Sequence, residues 1–110
     1  MAGVTAAGAS LEVREIDRVV VEGQTRAQVI YEIMGRKGEL SSQQSALRER
    51  YLEGLAAYRE RRWDDALGAL ESAIEIVPGD GPSRTLISRL RDLKKNPPPA
   101  DWNASWHVEK

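Results

Sequence analysis

The chain has no cysteine, no phenylalanine, a single histidine and only 5% aromatic residues among its 110. Without cysteine there is no disulfide staple and no thiolate metal site, which fits a reducing compartment. His107 alone builds no His-based metal set and no His-paired nucleophile, and between Trp106 and Val108 it reads as a packing or solvent residue. With phenylalanine missing, the core must rest on Leu, Ile, Val and Ala, with three Trp and three Tyr as large fillers. No apolar run approaches the ~20 residues that cross a bilayer, so no membrane contact is expected of this segment. Met1–Ser10 lacks the basic and apolar regions of a secretory leader; rich in Ala and Gly, it reads as a stretch cut from something longer. The expected location is cytoplasmic. Neither charge dominates: 16 Lys and Arg against 17 Asp and Glu leave −1. There is then no basic stripe to track a phosphate backbone, and nucleic acid is not an expected partner.

What is present falls into three regions: residues 1–36, 37–95 and 96–110. In the first, Val13, Ile16, Val19 and Val21 precede a polar break at Glu22-Gly23-Gln24-Thr25, and Val29, Tyr31 and Ile33 follow it. Alternation on both sides of a Gly-containing break predicts a β-hairpin. The alternation slips between Ile16 and Val19, so a bulge is expected near Asp17. A lone two-stranded ribbon is marginal in water, and this one needs a cover.

After the joint Gly35-Arg36-Lys37-Gly38, Ser41 with Gln44 three residues on forms a capping box that opens a helix. Its apolar face is Leu47, Tyr51, Leu55 and Tyr58, and Arg59-Glu60-Arg61-Arg62 closes it with cations on the favourable end of the dipole. A second helix carries Trp63, Ala66, Leu67, Leu70, Ala73, Ile74 and Val77, with Asp64 and Asp65 in its first turn and Pro78-Gly79 as its stop. Those two carboxylates point about 100° apart and compensate the helix start rather than pair for chemistry. A third helix begins around Pro82 and turns Leu86, Ile87, Leu90 and Leu93 inward. Pro97-Pro98-Pro99 must then be extended, and the tail beyond it holds Trp102 and Trp106, of which one or both are expected to dock on the helices.

The helical region resembles a tetratricopeptide repeat. The family places a small residue where its helices cross, here Gly54. It then places an aromatic, Ala, a large apolar residue, Ala and a terminating Pro, here Trp63, Ala66, Leu70, Ala73 and Pro78. Arg50, Glu53 and Ala57 depart from the family's pattern in the first helix. The resemblance covers about a third of the chain, and Gly81–Leu93 resembles the first helix of a second repeat with Ser88 at the crossing position. Repeats of this kind need about three units to bury a continuous core, so the hairpin, the tail or a second copy must help, and a homodimer is a possible outcome.

Arg14-Glu15-Ile16-Asp17-Arg18-Val19 and, after the break, Val29-Ile30-Tyr31-Glu32-Ile33 resemble the last two strands of the catalytic domain in bacterial class III adenylate/guanylate cyclases. Some of those enzymes continue into tetratricopeptide-like helices and a Pro-Pro-Ala-Asp-Trp tail, which here is Pro98-Pro99-Ala100-Asp101-Trp102. The resemblance implies an α+β chain: an N-terminal β-hairpin from a cyclase domain, a tetratricopeptide-like three-helix segment and an extended Pro/Trp tail. It implies a non-catalytic C-terminal regulatory or protein-interaction segment. The parent would be a lyase that makes cyclic AMP from ATP in bacterial signal transduction, with a divalent metal, magnesium, and with room for a membrane anchor elsewhere. The family's metal, purine-selecting and Asn/Arg residues lie upstream of these strands, so no catalytic residue, cofactor or metal site is assigned, and ATP is not distinguished from GTP. The family's phosphate-binding turn Lys is replaced by Glu22 and Gln24. Expected partners are proteins: the parent catalytic domain, another protein, or a second copy. Tyr51, Tyr58, Trp63, Trp102 and Trp106 are the candidate contacts. The alternative is a free-standing tetratricopeptide-like adaptor unrelated to cyclases.

Overall fold

The computed structural model describes residues 11–21, 23, 26–104 and 106–108, with the side chains of Val21 and 106–108 outside that description. The chain is α+β. Strand β1 (Leu11–Val21) pairs antiparallel with β2 (Gln28–Arg36), and three helices follow: α1 (Ser42–Arg59), α2 (Trp63–Ile76) and α3 (Gly81–Lys95). The pairing shifts register between Glu15 and Asp17, where the alternation slips, and again between Glu12 and Val13. Gly23 turns the hairpin at φ 86°, which a residue without Cβ adopts freely; Glu22, Gln24 and Thr25 lie outside the described residues.

The tail holds an element that its composition does not announce. Trp106–Val108 forms a short strand, β3, parallel to Val19–Val21, so the sheet order is β2-β1-β3 and β1 is central. The strand lies within the extended tail: three residues gain a ladder because the docked segment before them delivers the chain to the free edge of β1.

Each helix begins as its residues dictate. Ser41 accepts from the Gln44 amide at 3.1 Å while the Gln44 side chain accepts from the Ser41 amide at 3.0 Å. Asp80 caps α3 through the Ser83 amide and hydroxyl, with Pro82 in the first turn. α2 has no side-chain cap; Asp64 and Asp65 meet its dipole instead and go to different cations, Lys94 at 2.6 Å and Arg62 at 3.0 Å.

The core joins all three helices. Leu47, Tyr51, Leu55 and Tyr58 of α1, Ala66, Leu70 and Ala73 of α2, and Leu86, Ile87 and Leu90 of α3 are buried. At the α1–α2 crossing, a Cβ on Gly54 would sit 2.7 Å from Leu70 Cγ, so only glycine admits this approach. Ser88, expected at a second crossing, is exposed; the small polar residue buried on α3 is Ser83. The physical reason is that no fourth described helix follows α3 to cross it, so position 88 faces outward.

Candidate functional site

Three places in this fold bring chemistry-bearing side chains together. The first is the seam between the hairpin and the helices. Arg14, only 1% exposed, leaves β1 and donates to both carboxylate oxygens of Asp80 at 3.0 Å and to Glu32 on β2 at 2.7 Å. Its guanidinium also lies 4.8 Å from the Tyr51 ring centroid. Burial would raise the Asp80 carboxyl, but the Arg14 guanidinium and the Ser83 hydroxyl outweigh it and hold the group below its usual range. Around this centre Asp17 meets Arg89 at 2.5 Å, Glu12 meets Arg48 at 3.0 Å and Glu15 meets Arg59 at 2.5 Å. Arg48 and Tyr51 of α1 also donate to the Val13 and Ile16 carbonyls, which lie in the part of β1 that β3 does not reach. Burial, then the Asp17 carboxylate, push the Tyr51 phenol far above its ordinary value, so it keeps the proton that it donates to the Ile16 carbonyl.

A cavity of about 230 Å³ opens at the edge of this seam among Ile16, Asp17, Tyr51, Pro82, Leu86 and Arg89. A second hollow of about 390 Å³ lies between α1 and α2, and its rim carries Arg50, Glu53, Arg62, Asp64 and Asp65. Arg50 pairs there with Glu53 and Arg62 with Asp65, while Asp64 pairs with Lys94.

The third place is the corner where α1 turns into α2. Trp102 packs edge-on against Tyr58, with ring centroids 5.4 Å apart, and against Trp63 at 5.7 Å. Arg61 lies over the Trp102 ring at 5.5 Å and donates to the carbonyls of Pro98, at 3.2 Å, and Pro99.

Of the residues singled out from sequence, Tyr51 and Tyr58 are therefore core residues, each no more than 1% exposed. They cohere the fold, and the Tyr58 ring is covered in part by Trp102 of the tail. Trp63 and Trp102 are half-buried against each other, and the side chain of Trp106 lies outside the described residues. Sequence reasoning missed Arg14 and Asp80 as a pair, because a separation of 66 positions hides the contact. Arg61 was read only as part of a cationic helix end; that reading assigned it no partner.

The outer strand of the hairpin is its open one. Val13 pairs with Ile33 and Glu15 with Tyr31, and Ile33 is 60% exposed with Tyr31 and Ile30 also exposed. β2 has no described strand on its outer side. Among the described residues no three acidic or imidazole groups converge so as to hold a metal, and no helix is long and apolar enough to cross a membrane. Comparison with protein-family models, with characterised proteins and with solved structures finds no match to this chain.

Proposed function

We propose that this chain is the non-catalytic C-terminal regulatory segment of a cytoplasmic class III adenylate cyclase domain, whose parent makes cyclic AMP from ATP. The observation that carries the reading is the asymmetry of the hairpin. β1 is locked to the helices by Arg14, Asp17 and their partners, while β2 and its outer edge present Ile30, Tyr31 and Ile33 to solvent. Exposed apolar side chains beside an unpaired edge are what the last hairpin of a larger sheet leaves when the rest of that sheet is not beside it. The helical unit then acts as a clamp on the end of the catalytic sheet, and a partner that moves the helices moves that sheet. None of the residues present fits the family's metal or nucleotide contacts: Glu22 and Gln24 stand where its cationic turn residue would be.

The coding frame upstream of Met1 tests this. A continuous frame encoding two metal-binding Asp and a helix with an Asn/Arg pair is the expected finding, and a stop codon there sinks the reading. The isolated chain with ATP and magnesium should yield no cyclic AMP; production of it would mean that the chain is an enzyme in its own right. The rival reading, a free-standing adaptor, rests on the charged hollow between α1 and α2, whose rim matches a polar peptide.

A further inference from the structure

Pro97, Pro98 and Pro99 leave α3 with no N–H of their own to offer their carbonyls; the Pro99 carbonyl accepts from the Trp102 amide at 3.1 Å, a turn that brings the Trp102 ring round to the corner. In this chain Arg61 donates to two of these proline carbonyls and covers the Trp102 ring as well. The backbone of Arg61 sits at φ 63°, in the left-handed region that a side chain adopts at a cost of about 1 kcal/mol. Glycine would fill that turn more easily, so the retained side chain points to its contacts with the tail as the reason for keeping it. Tyr58 and Trp63 complete the notch from α1 and α2, and both are held by the helical core rather than by the tail alone. The tail meets this notch as a bound peptide would: a Pro-Pro turn with its ring inserted and its carbonyls gripped. Beyond it, Arg18 donates to the Asn103 carbonyl at 3.2 Å, Ala104 is buried and Trp106–Val108 pairs with β1.

We propose that the notch formed by Tyr58, Arg61 and Trp63 is a recognition site for a Pro-Pro segment that turns into a following Trp. The chain's own tail holds it in cis, and the tail of a second copy takes its place by exchange. The site does not depend on the cyclase reading. A tethered ligand competes at an effective concentration on the order of millimolar, so the intact chain should look closed to added peptide.

The test uses a dye-labelled peptide of residues 96–108 and the full-length chain, read by fluorescence anisotropy. Trp102→Ala, which empties the notch of its own ring, should bind the peptide at least tenfold more tightly than the wild-type chain. Adding Arg61→Gly to Trp102→Ala, a change the left-handed backbone accepts, should weaken that binding at least fivefold. A Trp102→Ala chain with intact helical circular dichroism that ignores the peptide, or binds it no better than wild type, overturns the proposal. If that variant fails to fold, Pro98→Gly with Pro99→Gly keeps every ring and loosens only the strap. It should admit the peptide several-fold more tightly than wild type, and equal binding again overturns the proposal. For the exchange itself, Trp102→Ala (notch, no ring) is mixed with Arg61→Gly (ring, weakened notch) at high concentration. Sedimentation should show a heterodimer in the mixture beyond what either variant forms alone, and monomers throughout would refute exchange between copies.

Discussion

The two seams of this molecule are built from opposite materials. Between α1 and α2 the contact is apolar and tight: Gly54 lets the backbones approach, and Leu70, Ala66 and Ala73 fill what remains. Between the hairpin and the helices the contact is ionic, with Arg14, Asp80, Asp17, Arg89, Glu12, Arg48, Glu15 and Arg59 pairing across it. Apolar burial rewards volume and tolerates small errors of direction, so it stabilises. A buried ion pair gains little over a hydrophobic replacement but penalises every misplacement, so it fixes geometry. The difference teaches that the helical pair supplies cohesion, while the polar seam sets how the hairpin sits on it.

The comparison breaks most directly at Leu70. Leu70→Ala should cost about 4 kcal/mol in chemical denaturation, since it empties a fully buried site against Gly54 and the α3 face. Arg14→Ala should come next, at about 3 kcal/mol, because it strands Asp80 beside a buried space. The polar seam differs from the apolar one in being repairable. Arg14→Met with Asp80→Asn, which keeps the α3 cap, should recover most of that loss, whereas no partner change repairs Leu70→Ala. The same pair carries an acid signature. The Asp80 carboxyl titrates below its ordinary 3.8 in the folded chain, so its stabilisation is complete above that value and is lost as pH falls through it toward the lower native one. The stability gap between wild type and Asp80→Asn should therefore narrow below about pH 4, and a constant gap would remove Asp80 from the seam. The smallest effect is expected at the crossing itself. Gly54→Ala should cost about 2 kcal/mol by overpacking Leu70, and markedly less in a Leu70→Ala background, as contact residues couple.

Much of this fold was legible along the chain because its signals are local. The bulge near Asp17 shows as a break in alternation, the start of α1 as Ser41 with Gln44, and the close crossing as Gly54 with Ala66 and Ala73 at repeat spacing. The site was less legible. Tyr51 and Tyr58 carry the residue type of an interface, yet at helical spacing on an apolar face they belong to the core, and the structure puts them there. Arg61 looked like one cation among several at a helix end; only its left-handed backbone and its reach to Pro98 and Pro99 set it apart.

By itself, then, the sequence determined the elements, their caps and the apolar stripe of each helix, because propensity, capping and periodicity act within a few residues. The tertiary structure alone decided that Arg14 meets Asp80, that Trp102 fills the corner beside Tyr58 and Trp63, and that Trp106–Val108 joins β1 in parallel. Those contacts span tens of residues, and a charge or a ring has no period that names its partner. Their geometry exists only once the helical core has brought the hairpin, the corner and the tail to the same place.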